Sequence, residues 1–311
     1  MKRTLPPIPA DRPIFPAPPP PDEGVAAWNM NTSCNYRCSY CTQRFLDDRG
    51  RWARDVPAFL AGFASLPART GVPWEVKLSG GEPLVHPRIV EVAAGLAEAG
   101  LFVSLVTNFS RPAVLDDVVG AIGPQLRVVS LSLHLEFAEV EAFVAAASRL
   151  QARLPVGASL VSTVVAQRAR LASLPALVER FAAAGLRLKV QPEKQDREII
   201  DYDGPERAAL LALGGHNGLG QIAHDFGGQP CWSGARSLIV DDRGEVFRCY
   251  PARRYRVEAM GNLLDGTLLL QPGPSPCLYR SCNCTVPIAR GMMPLAAVVD
   301  RLQPPSEGVT Q

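Results

Sequence analysis

The sequence predicts an α/β fold, a partial (β/α)6 TIM-type barrel followed by a small cysteine-rich C-terminal domain. Three observations carry that prediction. Short apolar runs alternate with helical stretches from Val25 to Glu193, the rhythm of a parallel sheet. Six such units are too few for a closed eight-unit barrel and suit an open one. The eight cysteines fall in two groups, three at positions 34–41 and five at positions 231–284, with none between.

Taken in order, residues 1–23 are rich in proline (P-P-I-P, P-A-P-P-P-P) with no helical or strand period, and are expected to form a mobile, disordered leader. The barrel is expected over residues 24–203. Its first strand, V-A-A-W-N-M-N from Val25, leads straight into the cysteine loop Asn31–Cys41. Trp74–Leu78 is the second strand and ends at Ser79-Gly80-Gly81-Glu82-Pro83; the apolar helix Arg88–Ala99 follows, stopped by Gly100. Leu101–Val106 is the third strand, ending at Thr107-Asn108. Arg127–Leu133 is the fourth, ending at His134-Leu135-Glu136, with alanines and valines at helical spacing over Phe137–Leu150. The fifth lies in Val156–Val165, a helix spans about Leu174–Ala184, and the sixth, Leu186–Val190, runs into Gln191-Pro192-Glu193. In parallel barrels the active site lies at the carboxyl ends of the strands. The cysteine loop, the G-G-E-P turn, Asn108, His134 and Glu193 all fall there.

Past Gly204 the composition changes. Residues 214–230 are glycine-rich, and Arg236–Val240 and Glu245–Tyr250 flank D-D-R-G as a β-hairpin. Residues 204–292 are thus expected to be a second domain with too little apolar sequence for a core of its own, stapled by metal. Residues 293–311 read as a weak helix and polar tail.

Bulk properties narrow the function classes. Hydrophobic residues make up 47%, charged residues 20%, and net charge is +2, which gives no electrostatic reason for a nucleic-acid or membrane partner. No apolar run approaches the ~20 residues that span a bilayer. The opening M-K-R-T-L-P-P-I-P-A lacks the apolar middle of a signal peptide. Export is not expected, disulfides belong to small secreted chains, and a cytoplasmic metal-binding protein is the reading that remains.

Cys34, Cys38 and Cys41 have C-x-x-x-C-x-x-C spacing. Three thiolates in one loop can hold three irons of a cubane cluster and leave the fourth open to chemistry. Zinc is the alternative, but a zinc site wants a fourth Cys or His nearby, and none of the four histidines is close in sequence. With Gly80-Gly81-Glu82-Pro83 downstream, the pair of motifs resembles the radical S-adenosylmethionine (SAM) superfamily, a resemblance covering about Val25 to Glu193. It implies that SAM chelates the open iron of a [4Fe–4S] cluster. An electron, from a donor such as flavodoxin or ferredoxin, then cleaves the sulfonium to methionine and a 5′-deoxyadenosyl radical that abstracts hydrogen from substrate. It further implies Tyr40 beside the adenine, the Gly80–Gly81 turn on the SAM amino group, Glu82 supplying negative charge to that end, and Asn108 near the methionyl group. Ser132 or His134 falls where the family contacts ribose, and Val161–Ser162 would pass the adenine by backbone alone. Candidate catalytic residues are His134 and Glu193; a structural histidine and a solvated loop carboxylate are their alternatives.

Cys231 and Cys249, with Gly244 between them, follow C-x12-G-x4-C and resemble the opening of the auxiliary-cluster domains called SPASM and, shortened, Twitch. Gly261-Asn262-Leu263 is similar too. Cys277, Cys282 and Cys284, as C-x4-C-x-C, depart from both patterns. Five thiols suffice for one auxiliary [4Fe–4S] cluster with one to spare; structural zinc is the alternative. The resemblance implies a radical SAM oxidoreductase or modifying enzyme acting on a small natural product or a peptide. The short proline-rich leader is no leader-recognition domain, which leans toward a small molecule or a peptide recognised in another way. The rival reading is a non-enzymatic iron–sulfur or zinc scaffold.

Overall fold

The computed structural model describes residues 7–8, 10–43, 45–46, 55–195, 198–214, 224–280, 282, 286–294 and 299–300. Six parallel strands build the barrel wall: β1 (Gly24–Asn29), β2 (Trp74–Ser79), β3 (Phe102–Thr107), β4 (Leu126–Leu133), β5 (Ser159–Ala166) and β6 (Leu188–Pro192). Between them run α1 (Val56–Ala64), α2 (Leu66–Thr70), α3 (Ile89–Glu98), α4 (Pro112–Ile122), α5 (Val140–Gln151) and α6 (Leu174–Ala183). Each adjacent strand pair from β1 to β6 is parallel and in sequence order, the arrangement of an open partial TIM barrel.

Side-chain alternation sets the two faces of the wall. On β2, Trp74, Val76 and Leu78 are fully buried under the helices. Glu75, Lys77 and Ser79 alternate with them on the other face. Trp28 of β1 meets Phe59 and Phe63 of α1, ring centroids 4.4 and 5.2 Å away. Helix α4, which the sequence reading leaves out, buries Leu115, Val118, Val119 and Ile122, an i, i+3, i+4, i+7 stripe that starts with Pro112 in the first turn. Its three valines and its glycine lower intrinsic propensity, and tertiary packing supplies what propensity lacks. Helix α5 starts at Val140, later than Phe137, because the amides of Phe137 and Ala138 both turn back to the His134 carbonyl.

Beyond β6 come the two-residue strands β7 (Lys194–Gln195) and β8 (Glu198–Ile199), helix α7 (Gly204–Ala212), β9 (His224–Asp225) and β10 (Pro230–Cys231). Then follow β11 (Ser237–Val240), β12 (Glu245–Phe247), α8 (Tyr250–Tyr255), β13 (Ala259–Asn262), β14 (Ser275–Pro276), α9 (Val286–Ala289) and β15 (Val299–Asp300). The β11–β12 hairpin expected from the sequence is present, but it is not a separate layer. β11 pairs in parallel with β1, Ala27 opposite Ile239, so the nine-stranded sheet runs β13-β12-β11-β1-β2-β3-β4-β5-β6. Gly244 needs its left-handed φ of +82°, and a Cβ there would meet Asn262 and Leu264 at 2.5 Å.

Two expectations change at the termini. The leader has no regular structure, yet residues 12–18 are held rather than mobile. Arg12 bonds the buried Asp225 carboxylate at 2.6 Å, Gln229 accepts from the Phe15 amide and donates to Pro13 O, and the Trp232 indole donates to Pro18 O. In the tail, residues 299–300 pair with β9 as a strand; positions 295–298 and 301–311, where a weak helix is expected, lie outside the described residues. No helix among the described residues is long and apolar enough to cross a membrane.

Candidate cluster and cofactor site

The cysteine loop leaves the carboxyl end of β1 and packs on the turn that leaves β2. Gly81 N donates to Asn31 O at 2.8 Å and Glu82 N to Ser33 O at 2.9 Å, while Asn31 Nδ2 donates to Glu82 O. The glycines are required by this approach. A Cβ on Gly80, whose φ is +146°, would lie 2.5 Å from Asn31 O, and one on Gly81 would lie 2.0 Å from Ser33 O. The sequence reading assigns that clearance to a ligand; in the structure the neighbour is the loop that carries the thiols.

Glu82 also differs from its expected place. It is 1% exposed. Its Oε1 accepts from Leu84 N and the Thr107 hydroxyl, and its Oε2 from Asn108 N at 2.6 Å. Burial pushes its carboxyl above the usual range, against the pull of those three donors. Both oxygens are therefore committed to tying the β2 turn to the end of β3, which makes Glu82 a positioning residue. Asn108, 6% exposed, continues the chain of contacts: Nδ2 donates to Asn35 Oδ1 at 3.0 Å and lies 3.9 Å from Cys34 Sγ.

On the other flank of the loop, His134 Nδ1 lies 2.7 Å from the Tyr40 hydroxyl and 3.2 Å from Cys38 Sγ. Burial holds the imidazole below its usual range, against the pull of the Glu136 charge. The rings of Tyr40 and His134 are near parallel, 6.0 Å apart. Burial, with the charge of Cys38, raises the Tyr40 phenol far above its normal value. Glu136, which the sequence reading passes over, accepts from both the amide and the hydroxyl of Ser39 inside the loop. Its place three residues past β4, beside the flagged His134, is the only signal the sequence offers. Ser132 faces Thr163 across β4 and β5, hydroxyls 3.5 Å apart. Glu193 stands apart from the thiols, accepting from Arg168 N at 2.9 Å, with its own amide on the Tyr202 hydroxyl.

Burial pushes Cys34 up, opposed by the Tyr36 amide on its sulfur, and pushes Cys38 up to about 11; each of these thiols feels Cys41. No three His, Cys, Asp or Glu side chains among the described residues converge tightly enough for a single metal ion. Zinc needs sulfurs within about 2.3 Å of one centre, whereas a cubane takes each thiolate on a different iron. The donor set and its spacing fit a cluster.

The second thiol group converges across 51 residues of sequence, from Cys231 to Cys282. Cys231, Cys249, Cys277 and Cys282 line one pocket, partly open to solvent, with Phe226, Tyr279 and Met293 on its walls. Burial drives Cys249 well above its usual range and pushes Cys277 up to about 12, and the thiols raise one another further. Such thiols stay protonated until a metal takes the proton's place. Cys284 lies outside the described residues. A buried cation sits on the same wall, Arg248, 2% exposed. Sequence reasoning misses it, since an arginine beside a cysteine carries no pattern of its own.

The Radical SAM superfamily model matches residues 28–149. A PqqA peptide cyclase of Methylorubrum populi is 39% identical over 102 residues, covering 33% of this chain and 24% of that protein. This chain thus spans about a quarter of the length of such curated relatives. Among solved structures, Streptococcus suis SuiB bound to precursor peptide SuiA superposes with TM-score 0.53 at 15% identity, covering 79% of this chain and 65% of that one. The structure of anSMEcpe with bound AdoMet gives 0.51 at 14%, covering 78% and 79%. At such identities the likeness speaks for the fold. The matched segment, residues 28–149, contains the whole three-cysteine loop and the glycine turn packed on it.

Proposed function

We propose that the protein is a radical SAM oxidoreductase or modifying enzyme acting on a peptide or small natural product. The observation that carries this reading is the Cys34–Cys41 loop locked onto the Gly80–Glu82 turn at the carboxyl ends of the strands. Cys34, Cys38 and Cys41 would hold the [4Fe–4S] cluster that binds SAM. When bound, cluster and SAM together supply reductive cleavage to methionine and a 5′-deoxyadenosyl radical that takes hydrogen from substrate. The chain's own residues orient that chemistry. Glu82 and Asn108 fix the loop from the β3 side, Tyr40 and His134 from the β4 side, and Gly80 and Gly81 leave the turn's backbone free of side chains. Ser132 lines the barrel wall where ribose would lie, and Glu193 stands at the β6 rim for substrate.

The names of the relatives favour a peptide substrate: a peptide cyclase in one case and a precursor-peptide complex in the other. One auxiliary [4Fe–4S] cluster on four of the five C-terminal cysteines is supported by Cys231, Cys249, Cys277 and Cys282 sharing a pocket. It would receive the electron left after hydrogen abstraction, making a two-electron oxidation possible; a low-potential donor such as flavodoxin or ferredoxin would feed the first cluster. Anaerobically reconstituted protein should bind close to eight irons, and with SAM and dithionite release 5′-deoxyadenosine. Fully loaded protein that releases none overturns the reading in favour of a scaffold.

A further inference from the structure

Arg248 immediately precedes Cys249 and is almost wholly enclosed, its side chain 3% exposed. A guanidinium has five N–H donors and no acceptor, so burying it requires carbonyls or carboxylates on every side. Arg248 finds them in three separate segments. Nε donates to Ser233 O at 2.9 Å. Nη2 donates to Ser275 O at 2.6 Å and reaches Cys231 O at 3.5 Å. Nη1 donates to Pro276 O at 2.8 Å and to Glu258 Oε1 at 3.0 Å. The carbonyls belong to Cys231 itself, to its second neighbour, and to the two residues before Cys277. One side chain thus pins together the segments that deliver Cys231, Cys249 and Cys277.

The arrangement is electrostatically lopsided. Glu258, the counter-ion, keeps 20% side-chain exposure and shares its charge with the Tyr279 hydroxyl, while the cation is sealed beside the thiols. Its field is felt at Cys231, Cys249 and Cys277. Around the first loop the described cationic neighbours, Arg37 and Arg111, are exposed and screened by solvent. Cluster potentials respond to net charge, burial and surrounding hydrogen bonds.

We propose that Arg248 is the positioning residue that sets the auxiliary cluster's potential: its buried permanent charge favours the reduced form and lifts this site above the cluster on Cys34, Cys38 and Cys41. The inference rests on the auxiliary-cluster reading. The test uses full-length protein with Cys34, Cys38 and Cys41 all changed to Ala, reconstituted anaerobically so that only the second site loads. Iron is counted, and the midpoint is read by EPR during a mediated dithionite titration. In that background Arg248→Gln should keep about four irons. It should lower the midpoint by at least tenfold in the reduction equilibrium, about 59 mV for one electron, while Arg248→Lys shifts it less. An unchanged midpoint in loaded Arg248→Gln overturns the proposal. If Arg248→Gln loads no iron, Glu258→Gln decides, since it removes the counter-charge and spares every ligand: an upward shift supports the proposal, and no shift overturns it. A background protein without iron instead sinks the auxiliary-cluster reading itself, before any arginine is changed.

Discussion

A methyl group placed on Gly81 would sit 2.0 Å from Ser33 O and 2.5 Å from Ser33 C, both backbone atoms without a flexible end to swing away. The loop would have to lift off the turn, separating Cys34 from Asn108 and its neighbours. Gly81→Ala should therefore lose the irons of the first site while the second keeps its own, so that iron per chain falls by about half; full loading with unchanged 5′-deoxyadenosine release would count against the packing argument. Glu82 allows a pH test in metal-free protein. Its carboxyl is raised by burial, so its contribution is fully present below the unfolded value of 4.5 and lost as pH rises through the folded value. Glu82→Gln replaces one acceptor oxygen by an NH2 facing an N–H or O–H donor, a cost of about 1–3 kcal/mol. The gap between wild type and variant should be widest near pH 4.5 and narrow as pH rises, read by urea denaturation from pH 4 to 8. A gap that widens with pH would show that the three hydrogen bonds, and not burial, dominate.

Among elements, the N-terminal segment is the one whose placement departs furthest from its composition. Proline-rich chain makes no ladder of its own, so it is held through side chains, its own Arg12 and those that come to it. Gln229, fully buried, clamps the backbone at Pro13 O (2.8 Å) and Phe15 N (3.1 Å). Gln229→Ala strands both groups, and hydrogen exchange at the Phe15 amide should accelerate several-fold while the barrel's unfolding transition stays put; unchanged protection would mean that the Arg12–Asp225 pair carries the segment alone. This is also where legibility in sequence stops. Strand ends and the first thiol loop were readable because Cys34, Cys38, Cys41, Gly80 and Gly81 are constrained by local spacing, and because the buried face of each strand has period two. The roles of Gln229, Arg248 and Glu82 depend on partners 10 to more than 200 residues away in the chain, and β13 and α4 on packing that overrides weak propensity. Local pattern is blind to both. The same holds for the four-thiol pocket, where spacing told five cysteines apart from three but not which four would meet.

At the scale of the molecule, the sheet argues against a chain of two independent bodies. β1 is buried along its whole length and is paired on both sides, with β2 on one and β11 on the other. Ala27 packs in the same apolar cluster as Ile239, Phe247, Cys231, Cys277 and Cys282, so the strand that leads into the first thiol loop also forms part of the wall behind the second thiol group. Cutting the chain after residue 203 would turn β1 into an open edge, with the backbone of Val25 to Trp28 unpaired on the β11 side and the apolar patch around Ala27 uncovered. Edges of that kind recruit other chains. Residues 1–203 expressed alone should therefore aggregate or unfold without a cooperative transition, whereas the full chain should melt as one unit with its clusters loaded. The first site's ligands are all present in the fragment, so a soluble fragment that melts cooperatively and binds about four irons would establish an autonomous barrel and restore the division near residue 204. If the fragment fails while the full-length protein with Cys231, Cys249, Cys277 and Cys282 changed to Ser stays folded, the hairpin's backbone, and not its metal, is what completes the barrel.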